Sequence, residues 1–252
     1  PDALALEYTS GRDVKGLAPA DCVLAPFDVW TNRAHVAMLA DRSIIAESDA
    51  RAIGKALAQV EARIESGEFR LDPNLEDVHM NVERQAEEIA GERAAGLMHT
   101  TRSRNDQALC DLRLYARHAA LERAEAVADL AEALIERARS DAGMALAGMS
   151  HTQPAAVTSL GHWWASHAFA LERDLDALRA LEPFCDRSPL GAAAGFGSTW
   201  PIDRARAAAY MGFAEPQTNS LDCVTSRGEL EARLAGAIAC LMLEPGTTVT
   251  HE

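Results

Sequence analysis

Residues 99–107 concentrate reactive groups into nine consecutive positions. The run His99-Thr100-Thr101-Arg102-Ser103-Arg104-Asn105-Asp106-Gln107 holds three hydroxyls, two guanidiniums and two carboxamides. It stands at the head of the stretch from Asp106 to Asp141, which contains no Gly or Pro and reads as a very long helix. A helix N-terminus exposes free backbone N–H groups and a partial positive charge, so it binds anions well. The Arg104 fork matches a carboxylate, and the Asn105 amide can orient one. An elaborate N-cap is the competing reading, because Ser, Asn or Asp alone would serve it. A cap has no need of two arginines beside it.

A second run, Gly148-Met149-Ser150-His151-Thr152-Gln153-Pro154, also precedes a long helical stretch. Hydroxyls and the Gln153 amide flank His151, a setting that can fix its tautomer and tune it as an acid or base. A structural histidine is the alternative. His79, beside Asp77 in "EDVHMN", reads on its own as a solvated helix-surface histidine. Ser188–Ala192 and Gly195–Ser198 could fold into an anion-binding nest or a plain loop. His162, His167 and the Trp163-Trp164 pair read as core or subunit contacts. Nothing matches a phosphate-binding loop, a dinucleotide fingerprint, a nucleophile elbow or a metal-ligand pair, so no metal and no cofactor are expected.

These residues need long helices to hold them. Alanine makes up about a fifth of the 252 residues and aromatics 5%. Alanine has the highest helix propensity, with Leu, Glu and Arg close behind, so the chain reads as all-α. The first forty residues look irregular, with a short helix over Val29–Leu39. Glu47–Gly67 follows, with Ser48 as N-cap and Ile53, Leu57, Val60 and Ile64 at helical spacing. Val78, Val82 and Ile89 mark another helix ending near Gly91 or Gly96. The Asp106–Asp141 helix would run roughly 54 Å at 1.5 Å per residue. A second long helix spans Ala156–Leu181, with only Gly161 inside. Shorter helices over Asp203–Met211 and Arg227–Leu243 follow a glycine-rich connection. Long alanine-rich helices belong in an extended bundle. The two longest are expected to pack on each other and to leave an apolar stripe uncovered within the chain.

Composition excludes several functions. Lys and Arg total 24 against 38 Asp and Glu, a net charge of −14. That argues against a nucleic-acid binder, which needs a basic face, and against docking on anionic lipid. No apolar run approaches the ~18–20 residues of a membrane span. Five scattered cysteines, Cys22, Cys110, Cys185, Cys223 and Cys240, form neither a disulfide framework nor a zinc pattern. A reducing cytoplasmic setting is expected. Pro1 and the polar ending after the last helix suggest a chain cut at both ends.

Together these segments resemble the argininosuccinate lyases of the aspartase/fumarase superfamily. "EDVHMNVE" with "MHTTRSRNDQALCDLRLYAR" is similar to that family's first signature, and "GMSHTQPAAVTSLGHW" to its second. "SPLGAAAGFGSTWPIDR", "NSLDCVTSRGE" and "LAPFDVWTNRAHVAMLA" match further segments, so the resemblance covers roughly residues 17 to 243. It implies an N-terminal helical domain over residues 1–100 and a long-helix bundle over 101–252, incomplete because a third signature and a C-terminal domain are missing. It implies homotetramers on a twenty-helix core, each site combining signatures from three subunits.

The implied chemistry is a reversible β-elimination that breaks a C–N bond of an N-substituted aspartate and releases fumarate and an amine. In argininosuccinate lyase the amine is arginine, within arginine biosynthesis. Proton abstraction next to a carboxylate forms an aci-carboxylate dianion, which preorganised donors must hold. Ser103, Arg104 and Asn105 match that role. His151 matches the acid/base machinery, and Ser150 matches a threonine that holds a substrate carboxylate. Thr100, His79 and Gln153 belong to the same cleft. The family's Gly-Ser-Ser-x-Met-Pro-x-Lys-x-Asn-Pro signature, with its catalytic serine, is absent from the 252 residues. Leu17 stands where the family has a serine that holds the amino-acid part of the substrate, and "HTQPAAV" replaces "HLQRAQP". A lyase for another N-substituted aspartate, or a non-catalytic structural relative, is therefore the alternative.

Overall fold

The computed structural model describes residues 19–249, with residues 244–249 as helix backbone only. Leu17 lies outside the described residues. A short 3-10 turn over Ala20–Leu24 leads into α1 (Ala25–Asp41), α2 (Glu47–Glu65), α3 (Val78–Ala90), α4 (Glu92–Leu97) and α5 (Arg104–Ser140). After α5 come β1 (Ala145–Ser150), β2 (Gln153–Ser159), α6 (Leu160–Arg179) and α7 (Glu182–Cys185). The rest is β3 (Arg187–Ser188), α8 (Arg204–Tyr210), β4 (Glu215–Pro216), α9 (Ser220–Thr225) and α10 (Glu229–Val249). The fold is the helical one expected, with two small two-stranded sheets added.

Local chemistry explains most boundaries. Pro26 occupies the first turn of α1, where its missing N–H is harmless, so α1 is longer than the Val29–Leu39 expectation. Ser48 does not cap α2: the N-cap position is Ala46, and Glu47 and Asp49 favour the first turn through the helix dipole. Asp77 caps α3, its carboxylate accepting from Met80 N at 2.7 Å, and Gly91 ends it at φ 85°. Asp203 caps α8 by accepting from Arg206 N at 2.9 Å.

The chain divides into two compact units. The first holds the residues up to Tyr115 together with Phe184–Arg227. Its core joins Val29 and Leu39 of α1, Ile53, Leu57 and Val60 of α2, Val78 and Val82 of α3, and Leu114 of α5. Leu190, Met211 and Phe213 from the later segment complete it.

The second unit holds Ala116–Pro183 and the residues from Gly228 onward. Ala120, Val127 and Ala131 of α5 pack with Leu171 and Leu178 of α6, and Leu234 and Leu241 of α10 lie against them. Gly161 makes the closest approach possible: a Cβ there would stand 2.4 Å from the Ala138 carbonyl and 2.7 Å from Ala142 Cα. The expected uncovered stripe is present. Leu121, Leu130 and Phe169 are 65, 52 and 63% exposed, and an apolar groove of about 620 Å³ runs past Ala131, Ile135, Ala165 and Phe169.

The expected helix over Ala156–Leu181 is corrected at its start. β1 and β2 form an antiparallel hairpin, and α6 begins only at Leu160. Val157 and Thr158 are β-branched and favour a strand. Ser159 then caps the helix, its hydroxyl accepting from His162 N at 3.1 Å. Gly148 admits the pairing, because a Cβ there would stand 2.8 Å from the Ala156 carbonyl oxygen.

Candidate functional site

The expected site residues fall in both units: His79, Thr100, Ser103, Arg104 and Asn105 in the first, and Ser150, His151 and Gln153 in the second.

In the first unit the 99–107 run forms both an elaborate cap and an arginine cluster. Ser103 Oγ accepts from Asn105 N at 3.3 Å, and Asp106 Oδ1 accepts from Ser103 N at 2.9 Å. That is a reciprocal cap on α5. Asn105 sends its amide to Ser103 Oγ at 3.4 Å, and its oxygen accepts from Arg227 at 3.5 Å. Thr101, a β-branched residue, sits at φ 70° just before the cap. Such left-handed strain persists only where surroundings enforce it, and it gathers at functional sites.

The nest foreseen around Ser188–Ala192 exists, and its anion is a side chain of the same chain. Gly191 N and Ala193 N donate to Asp106 Oδ2 at 2.8 and 2.9 Å. Burial pushes the Asp106 carboxyl up, against the backbone N–H groups of Ser103, Ala193 and Gly191 that pull it down.

Arg104 is engaged on several sides. Its Nη1 and Nη2 donate to the two Glu83 oxygens at 3.2 and 3.3 Å. Nη1 also donates to Gln107 Oε1 at 2.7 Å, and Nε lies 3.3 Å from Asp77 Oδ2. Burial acts to lower the Arg104 pKa, and the Glu83 charge and hydrogen bonds raise it overall. Burial acts to raise Glu83, and the His99 and Arg104 contacts hold it below its ordinary value.

Behind this cluster lies a buried polar network. His79 is not a surface residue: it is 4% exposed, and its Nδ1 donates to Asp28 Oδ1 at 2.9 Å and lies 3.2 Å from Asp111 Oδ2. Asp28 also accepts from Gln107 Nε2 at 2.6 Å and Asn32 Nδ2 at 2.9 Å. Asn32 Oδ1 accepts from Arg102 at 2.6 Å, and Thr31 donates to Asp111. Burial alone would keep His79 neutral. The Asp28 charge overrides it and raises the imidazole to about 10. Burial likewise opposes ionisation of Asp28, yet His79 and Arg102 hold it well below the carboxylate range. Asp111 is pushed up by burial and by the Asp28 charge. His35, with Nε2 2.8 Å from the Thr100 carbonyl, is driven down to about 3 by burial and by Arg102, so it stays neutral and fixes the Thr100 backbone.

Among the described residues, Asp28, His79 and Asp111 form one group whose donor atoms, all within 4.8 Å, could chelate a cation. In the structure the three pair with one another, the His79 imidazole standing between two carboxylates.

The second unit presents His151 differently. His151 and Thr152 form the two-residue hairpin turn, at φ 51° and 62°. Both positive angles belong to the tight turn whose twist matches a hairpin. Thr152 Oγ1 donates to the His151 carbonyl at 2.6 Å. Ser150 and Gln153 pair across the turn, and all three side chains are exposed. His162 is exposed and local, its Nδ1 2.7 Å from Thr158 Oγ1. His167 packs edge-on to Trp163 at 4.9 Å.

Sequence reasoning missed Asp28, Asp106 and Asp111. A signal was present: Asp28, Thr31, Asn32 and His35 recur at i, i+3, i+4 and i+7, so they share one face of α1.

A family model described as "Lyase" matches residues 25–244. An argininosuccinate lyase from Bartonella bacilliformis is 41% identical over 217 residues, covering 86% of this chain and 46% of its own length. A variant of EDDS lyase with bound fumarate superposes with a TM-score of 0.77 at 29% identity, over 92% of this chain and 45% of its own. EDDS lyase in complex with formate gives a TM-score of 0.79 at 29% identity, over 95% and 46%. The chain spans about half the length of the relatives it matches.

Proposed function

The chain belongs to the lyase family whose model matches it over residues 25–244, and from that premise we propose that it forms part of a carbon–nitrogen lyase. The reaction is β-elimination on an N-substituted aspartate, giving fumarate and an amine. Argininosuccinate is the first substrate to test, which would place the enzyme in arginine biosynthesis.

The observation that carries this reading is the chemistry at the α5 N-terminus, where Ser103, Arg104 and Asn105 gather donors suited to a carboxylate. It gains support from the 41% identity to an argininosuccinate lyase and from a neighbour solved with fumarate. In the proposed cycle a proton leaves the carbon next to the substrate carboxylate. The extra charge spreads onto that carboxylate as an aci-carboxylate, and the C–N bond then breaks to leave fumarate. Ser103, Arg104 and Asn105 hold the developing charge, because preorganised donors act most strongly where charge builds up. Ser150 holds a second substrate carboxylate. A base takes the carbon proton and an acid protonates the departing amine, and exposed His151 serves in this acid/base pair. Thr100 of the first unit and Gln153 of the second are further substrate contacts in this reading. His79, closed in by carboxylates, acts by positioning α3 and Gln107 rather than by touching substrate.

No metal or cofactor is needed for these steps. A division near residue 100, a homotetramer with sites shared between subunits, and a cytoplasmic setting belong to the same proposal. No helix among the described residues is long and apolar enough to cross a membrane. Leu17 in place of a serine, and the two EDDS lyase neighbours, favour a second reading: the same elimination on a different N-substituted aspartate.

The test is product analysis of the full-length protein given argininosuccinate and a panel of other N-substituted aspartates. Fumarate and amine should appear in equal amounts from one of them. Absence of fumarate from every member would refute the reading.

A further inference from the structure

We propose that Glu83 is an internal competitor for the Arg104 fork, and that a substrate carboxylate binds by displacing it toward His99. This rests on the reading of Arg104 as the carboxylate-binding residue. Glu83 reproduces the geometry a substrate carboxylate would use: two oxygens facing Nη1 and Nη2 at 3.2 and 3.3 Å. Planar fork-to-fork pairing of this kind is the strongest and most directional contact an arginine makes.

The other donors leave little room for an incoming anion. Gln107 Oε1 takes Nη1 at 2.7 Å, and Asp77 Oδ2 stands 3.3 Å from Nε. One guanidinium thus faces two protein carboxylates. An approaching dicarboxylate would meet a local excess of negative charge unless one of them withdraws.

Glu83 has a place to go. His99 Nδ1 already lies 3.3 Å from its Oε1, a contact short of good hydrogen-bond geometry that nonetheless lowers the Glu83 pKa. A small rotation would trade the Arg104 contact for that nitrogen. Asp77 lacks the same freedom, because its other oxygen caps α3 through Met80 N at 2.7 Å. Side-chain exposures of 34% for Arg104 and 28% for Glu83 put the pair at a solvent-reached edge, where exchange is feasible. Glu83 therefore sets the affinity of the site: it keeps Arg104 oriented and subtracts from the grip on any carboxylate.

The experiment is fumarate binding to the full-length protein by calorimetry. Glu83→Gln keeps the size and removes the charge, and it should tighten fumarate about three- to tenfold, the range between an exposed pair and a half-buried one. His99→Gln replaces the imidazole that receives Glu83 and should weaken it. Glu83→Gln in an Arg104→Ala background should bring no gain. A merely structural Glu83 would not give opposite signs for the two single variants. If Arg104→Ala weakens fumarate but Glu83→Gln leaves it unchanged or weaker, the competition is refuted and the carboxylate site stands. If Arg104→Ala has no effect, the site itself is wrong and the competition falls with it.

Discussion

Replacing Asp28 with Asn should destabilise the first unit by about 3 kcal/mol. Asp28 is fully buried and accepts from three donors: His79 Nδ1 at 2.9 Å, Gln107 Nε2 at 2.6 Å and Asn32 Nδ2 at 2.9 Å. Breaking a buried charge pair by removing one partner typically loses ~3–5 kcal/mol, because the other charge is left uncompensated. Here the loss falls at the lower end. Asp111 Oδ2 is already 3.2 Å from the same His79 nitrogen, and removing the Asp28 charge eases the ionisation of Asp111. Even about 3 kcal/mol is a large share of the ~5–15 kcal/mol that holds a domain. Urea titration, read by amide exchange in α1 and α3, measures it. The pH dependence is a second signature. His79 is raised from 6.5 to about 10, so its contribution is complete below pH 6.5 and is lost as pH rises through about 10. Asp28 is lowered from 3.8, so its contribution is complete above that value and fades as pH falls through about 2. Asp28→Asn should flatten the alkaline slope. The reasoning is refuted if the variant loses under ~1 kcal/mol. It is equally refuted if Asp28→Asn and His79→Asn add within ~0.5 kcal/mol in the double variant, the limit for uncoupled sites.

His151→Asn in the full-length enzyme should lower kcat by about 10²–10⁴, the usual share of general acid–base catalysis, while KM changes much less; steady-state kinetics reads it, and an unchanged kcat removes His151 from proton transfer. Gly161→Ala places a Cβ 2.4 Å from the Ala138 carbonyl oxygen. It should lower the stability of the second unit by roughly 1–3 kcal/mol, the usual penalty for overpacking, seen as a lower urea midpoint for amides in α6; a midpoint equal to wild type would refute the close approach.

The long helices were legible because their signals are local and repeated. The Gly-free, Pro-free run after residue 105 gives α5, and Ile53, Leu57 and Val60 give the buried face of α2. Gly161 read only as the one glycine inside the second long helix, and the structure shows its use, a close approach to Ala138. The hairpin stayed hidden because residues 145–156 contain a single β-branched residue, Thr152 in the turn, and the strand signal rests on little more than Val157 and Thr158. For the site, the anion-suited chemistry of residues 103–105 was readable from residue types alone. What occupies it was not, since Glu83 and Asp77 arrive from α3 and the turn before it. The Asp28–His79–Asp111 network joins residues 51 and 32 positions apart, a separation that only tertiary packing closes.

Fumarate binding to the full-length Arg104→Ala variant tests the carboxylate site most directly. Truncating one partner of a close charge pair loses about 2–5 kcal/mol. Because Glu83 already pairs with Arg104, the lower part of that range applies. A dissociation constant raised by at least tenfold, with the fold intact by circular dichroism, is the predicted result. Fumarate bound as tightly as by wild type would contradict the assignment of the α5 N-terminus as the substrate's carboxylate site.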